Sequence, residues 1–84
     1  MENIELIKEK VKTEIQQITF VDKAQIEYDT KIFENGYIDS MGFAIIVTFL
    51  EESFNLSIKD RDLVDENFES VNAITNFITA KMAS

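Results

Sequence analysis

A chain of 84 residues with a formal charge of −8, no Cys and no His has length for one domain around one modest core. Without Cys there is no disulfide framework and no thiolate metal site, and without His the commonest general base and metal ligand is missing. The acidic excess argues against nucleic-acid binding, which needs Lys and Arg to displace counterions from phosphates, and it points instead to basic protein partners.

In chain order, Ile4, Ile7, Val11, Ile15 and Ile18 step by 3, 4, 4 and 3 residues, the spacing of one helical face, so a first helix is expected over Ile4 to Ile18. From Thr19 to Ile38 the periodicity lapses into a long connection in which Asp22, Asp29-Thr30 and Asn35-Gly36 supply turn and cap chemistry and Phe33 pins the loop to the core. A second helix is expected from Ser40, whose hydroxyl caps it, to about Phe54, with Asn55 ending it. Around Arg61 to Asp65 a single short helical turn with Asp60 as its cap follows. Ser70 caps a last helix whose Val71, Ile74, Phe77 and Ile78 form one apolar stripe. No strand, repeat or linker is expected. The fold class is all-α, a small four-helix bundle of three main helices and one short one over a single domain, residues 1–84.

The second helix is the informative one. At 100° per residue, Phe43, Ile46, Val47, Leu50 and Phe54 fall within about 60° of one direction and form the core stripe. The opposite face holds Met41 and Ile45 with Glu52, flanked by Ala44, Thr48 and Phe49, where a surface helix is ordinarily polar. In so small a domain two enclosed faces are hard to supply, so this face is expected to be an exposed docking patch. Nine acids between Glu34 and Glu69 stand against only Lys59 and Arg61, and of these Glu51, Glu52, Asp62 and Glu66 are expected to surround the patch and attract a basic partner. Phe43 and Phe49 add bulk to the bundle, which favours a short or polar cargo over a long sequestered chain.

Gly36-Tyr37-Ile38-Asp39-Ser40-Met41 opening a helix, then Glu51-Glu52-Ser53-Phe54-Asn55-Leu56-Ser57-Ile58 and Asn67-Phe68-Glu69-Ser70-Val71, together resemble the acyl and peptidyl carrier protein family over nearly the whole chain. The resemblance implies an acyl-carrier-protein-like bundle in which Ser40 receives 4'-phosphopantetheine from coenzyme A, although Met41 stands where Leu is commonest. Asp39-Ser40-Met41-Gly42 looks like the stand-alone D-alanyl carriers and similar discrete carriers loaded by an adenylating ligase. Fatty-acid carriers usually have acids where Gly42 and Ile45 stand here.

The chemistry of a passive acceptor agrees with this. Ser40 has no His or Cys to activate it, so a separate phosphopantetheinyl transferase must supply base and metal, and the chain itself is no enzyme and holds no metal. Asp39 is expected to assist by contacting that enzyme's metal or a basic residue. The N-terminus of the second helix favours a phosphodiester on Ser40. Further partners would be an adenylating ligase or acyltransferase for loading and biosynthetic enzymes downstream.

No apolar run approaches the roughly 20 residues of a membrane span, and Met1-Glu2-Asn3-Ile4-Glu5 lacks the basic-then-apolar start of a signal peptide. A cytoplasmic monomer is expected. Two other readings are a cofactor-free acidic helical interaction module and a calcium-binding protein; the latter lacks an Asp-x-Asp-x-Asp-Gly loop with a closing Glu.

Overall fold

The 3-4-4-3 spacing in the first segment becomes a helix, α1, over Ile4–Thr19, and Ile7, Val11 and Ile15 on its inner face are buried. This computed structural model describes residues 4–19 and 26–83; Asp22 in the expected connection, the start Met1-Glu2-Asn3 and the final Ser84 lie outside the described residues. The later elements are α2 (Ser40–Phe54), a 3₁₀ turn (Asp60–Asp62), α3 (Asp65–Phe68) and α4 (Val71–Ala83). Among the described residues there is no strand, and the class is all-α. Packing follows the apolar faces: α1 lies on α2 and α4, and α3 on α4.

The connection before α2 is long but tied down. A turn at Lys31 to Gly36 closes with Asn35 N–H on the Lys31 carbonyl (3.0 Å) and Gly36 N–H on that of Phe33 (3.1 Å). Gly36 takes φ +76°, a left-handed value that costs Gly nothing, and the chain reverses so that Tyr37 and Ile38 both donate to the Ile32 carbonyl, at 2.9 and 3.1 Å. Ile26, Ile32 and Ile38 enter the core from this segment, and Phe33 packs edge to face on Phe43 at 5.6 Å between centroids, pinning the loop as its sequence suggested. Backbone bonds from Ile32 to Glu69 (3.0 Å) and from Asn72 to Tyr28 (2.9 Å) sew the loop to the α3–α4 junction, beside a 2.7 Å pair of Lys31 and Glu69. Tyr28 donates its hydroxyl to the Glu9 carboxylate on α1, and that bond holds the phenol up to about 12.

The later boundaries also have local causes. Asn55 ends α2 in the left-handed region at φ 53°, its N–H on the Glu51 carbonyl. Ser70 Oγ accepts from Ala73 N–H at 3.1 Å and caps α4, whose Val71, Ile74 and Ile78 are buried. Phe77 on the same stripe is half-buried and packed against the core. The expected single turn at Arg61 to Asp65 resolves into two pieces. The 3₁₀ turn begins one residue earlier, its flanking residue is Lys59 where Asp60 was expected, and a separate four-residue α3 follows. The reason is Asp62, whose Oδ2 accepts Lys59 N–H at 2.9 Å and so closes the turn from its far end.

Candidate functional site

At the start of α2 the capping residue is Asp39, where Ser40 was expected. Asp39 has extended backbone (φ −106°, ψ −171°) and its Oδ1 accepts Gly42 N–H at 2.9 Å, while its carbonyl accepts Phe43 N–H at 2.9 Å. Both residue types cap well, but only the one outside the helical backbone can do so. Ser40 is therefore the first helical residue, exposed, with its hydroxyl left over from the cap. First-turn N–H groups of a helix lack intrahelical acceptors. Asp39 satisfies Gly42, and the Ser40 and Met41 N–H groups belong to the first turn, at the positive end of the helix dipole.

Asp39→Ala should cost about 0.5 to 2 kcal/mol of stability, read from a urea melt, because the Gly42 N–H loses its acceptor. Asp39→Asn keeps an acceptor and should melt within about 0.5 kcal/mol of the wild type.

Ser40 stands at the mouth of a cleft of about 360 Å³ between the start of α2 and the segment before α4. Its floor is aromatic: Phe43 meets Phe68 edge to face at 5.1 Å, and Phe68 in turn meets Phe77 at 5.2 Å. Its outer wall is Leu63, Val64 and Asp65. This wall was not foreseen in the sequence; the available signal was an apolar pair set in the otherwise charged run Lys59 to Glu66. Phe43 lies in this cleft, whereas Phe49 lies on the α1 side of α2, against Phe54 at 6.4 Å.

The outward face of α2 forms a second, open groove. Met41, Ala44, Ile45, Thr48 and Glu52 line it together with Phe49 and, from α1, Glu14. Met41 is 74% exposed and Ile45 44%, so this face is not part of the core. The acids expected around it divide. Glu52 lines the groove, but Glu51 turns inward and accepts Ile58 N–H at 2.9 Å. Asp62 lies 3.0 Å from Lys81; the Lys59 N–H it accepts, with Lys81 second, holds its carboxyl below the usual range. Glu66 is exposed on another side, beside Asn72 and Ala73 of α4. Among the described residues no group of three or more acids is placed to hold a metal ion, and no helix is long and apolar enough to cross a membrane.

The sequence pattern of the family described as "Phosphopantetheine attachment site" matches residues 9–78 of this chain. An acyl carrier protein of Guillardia theta is 32% identical over 82 residues, which cover 98% of this chain and 99% of the relative. A D-alanyl carrier protein of Lactococcus lactis subsp. cremoris strain MG1363 is 27% identical over 75 residues, covering 89% of this chain and 95% of the relative.

Proposed function

The chain belongs to the family that carries a phosphopantetheine attachment site, and from that premise we propose that Ser40 is the attachment residue of a discrete cytoplasmic carrier of acyl or aminoacyl groups. Its cofactor is covalently bound 4'-phosphopantetheine, and carriers of this family have no catalytic activity of their own. The observation that supports Ser40 is its placement: an exposed hydroxyl on the first residue of α2, released from capping by Asp39, at the mouth of an aromatic-floored cleft.

The residues there suit the group. A phosphodiester on Ser40 would sit by the first-turn N–H groups and the positive dipole end of α2, and the Asp39–Gly42 bond that holds the helix start does not involve the Ser40 hydroxyl. Asp39, exposed beside it, would meet the metal or a basic group of an incoming phosphopantetheinyl transferase. When bound, the arm supplies a terminal thiol on which cargo is held as a thioester. The cleft receives only a short group, because Phe33, Phe43, Phe68 and Phe77 already fill the interior beneath it. We favour an aminoacyl or short acyl cargo on that ground, with D-alanine the leading candidate from the resemblance of Asp39 to Gly42 and the named relative.

The groove on α2 is the proposed docking face for the transferase, for an adenylating ligase or acyltransferase, and for the biosynthetic enzymes downstream. Apolar Met41 and Ile45 would be buried against the partner, while Glu52, with Glu14 opposite, draws in a basic surface. The two effects separate with salt, since long-range attraction is screened within about 10 Å at 0.1 M while apolar contact is not. Ile45→Glu should lower the rate of loading by the cognate enzyme at every ionic strength. Glu52→Lys should lower it at low salt and flatten its salt dependence. Circular dichroism should show both variants folded. Unchanged rates in both would remove this face from the docking surface, and unfolding of the Ile45→Glu variant would assign Ile45 to the core.

A further inference from the structure

The outer wall of the Ser40 cleft is built from a segment with almost no core of its own. Leu63 and Val64 are 40% and 44% exposed, and the 3₁₀ turn before them buries no residue. Asp62 supplies the order that burial does not. Its Oδ2 accepts Lys59 N–H at 2.9 Å and lies 3.0 Å from Lys81 Nζ on α4. Its carbonyl accepts Asn67 Nδ2–H at 2.8 Å and Val64 N–H at 2.9 Å. The pair is partly shielded, with the Lys81 and Asp62 side chains 23% and 18% exposed. Lys81 Nζ also lies 5.8 Å from the centroid of Phe77, and Phe77 packs on Phe68 in the cleft floor. Wall and floor are thus referred to one ammonium on α4.

We propose that the Asp62–Lys81 pair is a latch that fixes the Leu63–Val64 wall and thereby sets how well the cleft shelters a group held at Ser40. That a carried group is sheltered there rests on the carrier function proposed for Ser40; the fixing of the wall does not. Lys81 and Asp62 are positioning residues, acting through the wall, and Asp62 serves inside the fold more than as a lure for partners.

The test uses Lys81→Met, which keeps a stem over Phe77 and leaves Asp62 to close the turn, and Lys81→Arg, which restores the charge. In the unmodified protein, amide hydrogen exchange at Leu63 and Val64 should quicken about two- to fivefold in Lys81→Met, the range that loss of the partly exposed Asp62–Lys81 pair implies. Amides in the middle of α1 and α2 should not change, and Lys81→Arg should return both loop amides to the wild-type rate. In the modified protein loaded with an acetyl group, thioester hydrolysis should quicken by a similar factor in Lys81→Met. Equal exchange in Lys81→Met and wild type would overturn the latch, whatever the state of Ser40. Faster exchange in Lys81→Arg equal to that in Lys81→Met would overturn the role of the charge. Faster exchange with unchanged hydrolysis would overturn the sheltering role. Failure of the wild type to become modified would instead strike the carrier function and leave the exchange result to decide the latch.

Discussion

Ser40→Ala is expected to abolish attachment of phosphopantetheine while leaving the protein as stable as the wild type. The first half follows from chemistry: attachment needs a hydroxyl oxygen at this position, and Ala supplies none. The second follows from the helix start. Because Asp39 Oδ1, and not the Ser40 hydroxyl, accepts the Gly42 N–H, the substitution removes no cap. Ala is also a good residue for an exposed helical position. Stability should therefore stay within about 0.5 kcal/mol, the range of an ordinary surface substitution. Had Ser40 been the cap, a loss of about 0.5 to 2 kcal/mol would be expected. Urea melts by circular dichroism and intact mass after incubation with transferase and coenzyme A read the two halves separately. A modified Ala variant would show that another residue carries the group, and a clear loss of stability would return the cap to Ser40.

The largest expected loss of stability is at Leu50, which is fully buried in the middle of α2. Leu50→Ala removes apolar contacts and leaves a cavity that the helices on either side cannot fully close, for about 2 to 5 kcal/mol. At roughly 0.05 to 0.15 kcal/mol per residue a chain of this length holds only about 4 to 13 kcal/mol in total. The variant should melt at far lower urea or fail to fold at ambient temperature. Ile45→Ala, on the 44% exposed face of the same helix, should lose less than about 1 kcal/mol. A small loss at Leu50 together with a large one at Ile45 would mean that α2 is rotated from the orientation described.

These paired substitutions bear on how much the sequence reveals. The faces of α1 and α4, and that of α2 at Ile46, Leu50 and Phe54, were legible because an apolar side chain every third or fourth residue has one physical explanation, a helix lying on a core; Val47, expected in the core stripe, is only half-buried, and Phe49, expected beside the outward patch, packs against the core. Asn55 and Ser70 were legible as helix ends for similar local reasons. The cap of α2 was not, because Asp39 and Ser40 are adjacent and both are good caps; only the extended backbone of Asp39 decides between them. The 3₁₀ turn and the four-residue α3 were blurred into one expected turn because so few residues carry no period.

The fate of the acids was hidden for a different reason. Glu69 meets Lys31 across 38 residues of sequence, and Asp62 meets Lys81 on a different helix. Such pairings exist only once the bundle has closed, so a run of acids reads in sequence as one field when several of its members are internal ties. The Leu63–Val64 wall was obscured in the same way: an apolar pair in a charged loop has no face until Ser40 is placed opposite it.

The most direct test of the attachment site is the mass of the wild-type protein before and after incubation with a broad-specificity phosphopantetheinyl transferase and coenzyme A, followed by peptide mapping. A single increase equal to one phosphopantetheinyl group, confined to the peptide that contains Ser40, is expected. No increase, or an increase mapped to Ser53, Ser57 or Ser70, would contradict it.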